Sequence, residues 1–228
     1  MAGRPDAATP GHDCPLCARL VAFRQAQRAA HPDWFNAPVP GFGDPHARLL
    51  IVGLAPGLQG ANRTGRPFTG DYAGQLLYTT LRRFGFAQGN YGERPDDGLV
   101  LTDALITNAV RCVPPENKPT PQEIKTCRVF LEGQIAALPG LAAIVALGRI
   151  AHDSVLTALK QRRAAFPFAH GAQHATARVA LFDSYHCSRY NTNTGVLTPA
   201  MFDDVFAAVR RYLDTRPPPA APSALLAH

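Results

Sequence analysis

Two pairs of cysteines in this chain could hold a metal. Cys14 and Cys17 form a C-x2-C pair beside the turn-forming Pro15. Thiolates at that spacing can grip one ion from a single turn. Cys112 and Cys127, with fourteen residues between them, offer a second pair. Four sulfur ligands suit zinc or an iron–sulfur cluster, and spacing alone does not choose between them. The plainer alternative is four small buried side chains. Cys187 stands apart in a polar segment and is not counted as a ligand.

Three polar segments carry the other reactive side chains. The first is GLAPGLQGANRTGRPFTGD, residues 53–71, with glycines at 53, 57, 60, 65 and 70. Glycine lets backbone approach a ligand closely, and successive N–H groups can hold an anion. The pattern matches neither a phosphate loop with GK[ST] nor GxGxxG. Phe68 in this segment either stacks on a base or plugs the core. Asp71 reads as a helix N-cap, and a carboxylate there is also placed to orient a water. Asn108 follows an apolar run; its carboxamide can pair with the N3–H and O4 edge of uracil or be a satisfied core polar group. The third segment is HCSRYNTNTG, residues 186–195. His186 can donate to charge developing on a leaving base. Arg189 can meet phosphate and Tyr190 can wedge into a base stack, or the segment is a solvated turn.

These residues need a frame that brings them together. Apolar runs at 47–54, 104–110, 141–148 and 177–186 read as strands buried on both faces. Helical spacing marks 73–85, 120–138, 149–160 and 198–214. Thr120, Pro121 and Glu123 form a capping-box start, and Thr198-Pro199 opens the last helix. Strand–helix alternation implies a three-layer α/β/α fold around a central four-stranded parallel sheet. Ligands gather at the carboxyl ends of such strands, where all three polar segments fall. Residues 14–214 form one domain, after a lead-in (1–13) and before a Pro/Ala-rich tail (215–228).

Net charge is +6, which favours polyanionic partners. No apolar stretch reaches the ~18 residues of a membrane span. The opening residues lack a basic start followed by an apolar run, so no secretory signal is expected. A cytoplasmic, reduced location and a monomer are expected, with no membrane partner.

Together GLAPG with NRTGRPFTGD, TNAVRCVPPENKPTPQE, HCSRYNTNTG and the four cysteines resemble the uracil-DNA glycosylase superfamily. The closest likeness is to its iron–sulfur type b branch, also called family 5, and it spans residues 14 to about 213. The resemblance implies a uracil-DNA glycosylase-like fold and hydrolytic removal of uracil from DNA in base-excision repair. It implies acceptance of other deaminated or damaged bases, including hypoxanthine, xanthine and ethenocytosine. It assigns Cys14, Cys17, Cys112 and Cys127 to a [4Fe–4S] cluster. Gly53, Leu54, Ala55, Pro56, Gly57, Phe68 and Asn108 would hold the flipped base. Ser188, Arg189, Tyr190 and Asn191 would contact DNA, and His186 would stabilise the departing base. Related branches carry an acid at the second or third position of the first motif. Leu54 and Ala55 stand there instead, so Asp71 is the expected catalytic carboxylate. No catalytic lysine is evident, so strand cleavage through a Schiff base is not expected. Two rivals remain at this point: a non-catalytic binder of damaged DNA on the same fold, and a zinc-stabilised hydrolase or nucleotide-binding enzyme.

Overall fold

The computed structural model describes residues 9–216. Residues 1–8 and 217–228, most of the expected lead-in and tail, lie outside the described residues. The elements in chain order are α1 (Ala18–Ala30), β1 (Phe42–Gly43), β2 (Leu49–Gly53), α2 (Ala61–Thr64), α3 (Tyr72–Arg83), β3 (Ala87–Gln88), β4 (Val100–Leu101) and β5 (Ala104–Asn108). Then come α4 (Pro121–Ala136), β6 (Ala143–Leu147), α5 (Arg149–Ala158), β7 (Gln173–Ala175), β8 (Ala180–Ser184), α6 (Arg189–Asn193) and α7 (Pro199–Asp214).

The main sheet runs β1-β5-β2-β6-β8-β7. The inner four, β5, β2, β6 and β8, are mutually parallel, as the apolar runs predict. Two short antiparallel edges, β1 and β7, extend it. Runs of two and three residues carry too little periodicity to be seen in sequence. Every residue of the inner strands is buried, so these strands read as continuous apolar runs rather than alternating ones. The pleat still sorts them. Leu49, Ile51, Val145 and Phe182 face α3 and α7 with Leu77, Leu81, Phe202 and Phe206. Leu50, Val52, Ile144 and Leu181 face α4 and α5 with Leu131, Ile135, Val155 and Leu156. Each such side chain contributes about 1.5–3 kcal/mol when fully buried.

The helix starts agree with their local signals. Thr120 and Glu123 form the reciprocal capping box of α4. Thr198 accepts from Met201 N at the start of α7. Helix α1 was not read from sequence; its hydrophobic face is thin, with Leu20 and Arg24 its buried residues.

Two polar clusters tie loops to this frame. Asp183 on β8 is fully buried and pairs with His152 of α5 at 2.7 Å and His174 of β7 at 3.0 Å, pinning the β7 edge. Arg66 meets Asp97 at 2.8 and 2.6 Å, with side chains only 4% and 3% exposed. The Arg66 guanidinium also lies 5.1 Å from the Phe42 ring centroid, and its Nε donates to Thr69 Oγ1 at 2.7 Å. This pair anchors the segment that carries Phe68. Asp97→Ala would strand a buried guanidinium, so unfolding in urea should need about 3–5 kcal/mol less. An unchanged urea midpoint would mean that water already solvates Arg66.

Candidate active site and cysteine centre

A cavity of about 500 Å³ opens at the carboxyl ends of the parallel strands. The turn after β2 supplies Leu54, Ala55, Pro56 and Gly57 to its wall. Asn108 enters from the end of β5, His186 from the segment after β8, and Phe68 and Asp71 from the long loop before α3. The three polar segments therefore meet where strand polarity requires.

Asp71 caps α3, its Oδ1 accepting from Gly74 N at 3.3 Å. Burial raises its pKa above the ordinary carboxylate value, only partly opposed by the Gly74 and Ala73 N–H groups. Asp71 thus caps α3 and lines the cavity as well. Gly60 leaves it room: a Cβ there would lie 2.4 Å from Asp71 Oδ2.

Phe68 is 7% exposed, joins the α3/α7 core and also lines the cavity. Its φ is +51°, a left-handed conformation that costs a non-glycine residue energy. The neighbouring carbonyls hold it there. Tyr78 Oη donates to Pro67 O at 2.6 Å, and Tyr91 Oη donates to Phe68 O at 3.1 Å. The ring stacks toward His186, with centroids 5.9 Å apart and planes 28° from parallel.

Asn108 is buried, and its Oδ1 has no hydrogen-bond partner among the described residues. Such an acceptor is costly unless something supplies a donor. Burial pushes the His186 imidazole down to about 4, so it is neutral at pH 7 and can donate without carrying charge. Asn191 Nδ2 donates to His186 O at 2.8 Å and steadies that turn.

The other expected residues separate. Ser188 and Arg189 line the cavity mouth, and Arg189 lies 5.4 Å over the Tyr72 ring. Tyr190 is 74% exposed and does not line the cavity. Residues 189–193 form the short helix α6, capped by Ser188, rather than an extended loop. Gly53 does not line the cavity but lies beneath it. Gln59, Tyr72 and Asn117 line the cavity without having been singled out from sequence. Asn117 (φ +57°) and Glu116 (φ +54°) both adopt left-handed backbone. Two left-handed non-glycine residues in a row were the available structure signal, and no spacing rule reports it.

A second cavity, away from the first, is lined by all four expected cysteines. Cys112 and Cys127 are buried, and Cys14 and Cys17 are half-buried. Cys17 starts α1 as its N-cap residue. Leu20, Val110 and Phe130 make the surroundings apolar. Burial raises the Cys17 thiol and pushes Cys112 to about 11 and Cys127 to about 12. Arg111 N donates to Cys127 Sγ at 3.3 Å, and Arg24 Nη1 donates to Cys112 Sγ at 3.5 Å. Cys187 is fully buried in the other core, beside His186 in sequence, and belongs to neither pair.

The cavity lies at the carboxyl ends of a mainly parallel sheet, where α/β proteins place their ligands. The family model described as the uracil DNA glycosylase superfamily matches residues 40–210, and the chain belongs to that superfamily. A type-5 uracil-DNA glycosylase of Thermus thermophilus is 47% identical over 205 residues, covering 87% of this chain and 93% of that protein. The type-5 protein of Mycobacterium leprae is 42% identical over 211 residues, 87% and 90% of the two chains. That of Pyrobaculum aerophilum is 40% identical over 190 residues, 82% and 83%.

Gly53 has a steric role that can be measured. A Cβ there would sit 2.4 Å from Asn108 Oδ1 and 2.7 Å from Phe68 Cζ. Gly53→Ala should destabilise the fold by about 1–3 kcal/mol through overpacking. Calorimetry that finds no drop in melting temperature would show that Phe68 can retreat freely.

Proposed function

We propose that this chain hydrolyses the N-glycosidic bond of uracil in DNA as a monofunctional base-excision glycosylase. The observation that carries this reading is the unpartnered Asn108 Oδ1 beside Phe68 in the strand-end cavity. A flipped uracil offers N3–H to that oxygen and O4 to the amide nitrogen, while its face lies on Phe68. As the glycosidic bond stretches, negative charge grows on the base. Neutral His186 donates to it, and N–H groups of the 54–57 turn stand at the same wall. Asp71, ionised, orients the attacking water and offsets positive charge on the sugar. Arg189, with Ser188, Asn191 and exposed Tyr190, meets the DNA around the lesion. Hypoxanthine and xanthine are further substrates in this reading, on the strength of the type b resemblance. The protein works as a monomer in the cytoplasm, on nucleoid DNA; among the described residues no helix is long and apolar enough to cross a membrane.

The four cysteines hold a [4Fe–4S] cluster in the same reading, which makes it a structural tie between α1 and the 112–127 segment. One feature supports a negatively charged group in this cavity. A buried arginine nitrogen, Arg24 Nε, has no partner among the described residues and lines the same cavity, as expected beside an anionic group. Purified protein should be brown and hold about four iron atoms per chain; colourless protein with stoichiometric zinc sinks the cluster.

The activity test uses single-uracil oligonucleotides, followed by alkali. Wild-type protein should leave alkali-labile sites, and intact strands would remove the glycosylase reading. Asp71→Asn keeps a good N-cap but should slow base release roughly 10²- to 10⁴-fold. Its stability should move the other way. A carboxyl raised in the folded state favours folding only at low pH, and that contribution is lost as pH rises through the folded pKa. At pH 7 the buried charge is therefore a cost, so Asp71→Asn should melt at a higher temperature than wild type. For the same reason, activity should fall on acidification at a pH above the ordinary carboxylate value of about 3.9. A lower melting temperature or an unshifted acid limb would remove the buried charge from the account.

A further inference from the structure

Arg24 is 3% exposed. It lies seven residues after Cys17 on α1, two turns along the same helical face. Its Nη1 donates to Cys112 Sγ at 3.5 Å and its Nη2 donates to Cys14 O at 3.1 Å. Nε is buried without a partner, and no carboxylate pairs with this guanidinium among the described residues. A buried guanidinium stays charged, and burying it without a counter-charge costs several kcal/mol. The groups that the guanidinium meets among the described residues are Cys112 Sγ and Cys14 O, so a counter-charge at these contacts would sit on sulfur. Four thiolates around an oxidised four-iron core leave a net charge of about −2. Neutral thiols would leave Arg24 uncompensated.

We infer that Arg24 is the charge-compensating residue of the cysteine centre, its guanidinium offsetting the negative charge of the thiolate set and easing one-electron reduction of the bound cluster. The inference rests on the cluster reading above. Reduction adds one electron, and one further negative charge, to an apolar cavity. A fixed positive charge donating to a ligand sulfur favours the more negative state. Arg111, buried beside Cys127 in the lining of the same cavity, adds a second positive charge. Arg24 therefore has two effects: it lowers the cost of holding four thiolates together, and it raises the potential at which the centre accepts an electron.

The test uses the iron-loaded full chain with dithionite as the electron source. Arg24→Met keeps length and apolar stem but removes charge; Arg24→Lys keeps charge but loses the planar fork. At a fixed potential, the reduced-to-oxidised ratio should fall at least tenfold in Arg24→Met, about 59 mV for a one-electron couple. Arg24→Lys should stay within threefold of wild type. Iron loss to a chelator should be faster in Arg24→Met than in Arg24→Lys. Equal potentials in wild type and Arg24→Met, with iron retained, overturn the inference. If Arg24→Met holds no iron, Arg24→Lys decides: iron retained near wild-type level supports charge compensation, and iron lost to the same extent overturns it in favour of packing. Wild-type protein without iron would overturn the cluster itself, a distinct outcome.

Discussion

Four strands running the same way force one edge of the sheet to collect every segment that follows a strand. Because β5, β2, β6 and β8 are parallel, Asn108, the 54–57 turn and His186 share a single wall. Chain segments more than a hundred residues apart then meet without any special contact between them. Strand order reverses around β2, and the cavity lies at that switch, where open parallel sheets leave a crevice. The long loop before α3 borders this crevice, held by one cluster of Arg66–Asp97 and the Tyr78 and Tyr91 hydroxyls, whose rings lie 5.6 and 5.9 Å from the Arg66 guanidinium.

Low-dielectric surroundings set the chemistry of the cavity. Burial acts in opposite senses on two of its titratable groups: Asp71 rises and His186 falls. Both shifts follow from disfavouring the charged form. For His186 the result suits the proposed role, since a neutral imidazole stabilises a departing anion without protonating it outright. For Asp71 the result is a tension. The carboxylate must stay ionised at neutral pH in a place that resists ionisation, and the α3 N-terminus with its Gly74 and Ala73 N–H groups supplies the opposing pull. Gly60 and Gly53 contribute by absence, each leaving space that a methyl group would fill.

The cysteine cavity obeys the same electrostatic rule with another outcome. Burial raises three of its thiols, and metal binding is the ordinary way such thiols are held as thiolates. Buried Arg24 lines the same cavity, its Nε without a partner among the described residues, and a negatively charged centre would offset its charge. This centre is linked mechanically to the other cavity. Arg19 of α1 pairs with Glu123 of α4 and donates to Lys118 O. The 112–127 segment so held also carries Asn117 to the cavity wall.

The amino-acid sequence by itself determined the local features. Apolar runs made the four inner strands, Thr-Pro pairs started α4 and α7, and the ordered motifs placed the chain in its superfamily. Asp71 could be read as both cap and carboxylate because a single short stretch carries both roles. Other features waited for the tertiary structure. Edge strands of two or three residues take their order from neighbours, not from periodicity. Helix α1 buries little, so its pattern is faint, and the face carrying Arg24 means nothing until Cys112 arrives from 88 residues away. The close packing of Asn108 and Phe68 on Gly53, the approach of Asn117 and the pKa shifts of Asp71 and His186 depend on atoms distant in sequence. Capping and hydrophobic period are fixed by near neighbours; desolvation and steric space are fixed by whatever the fold brings close.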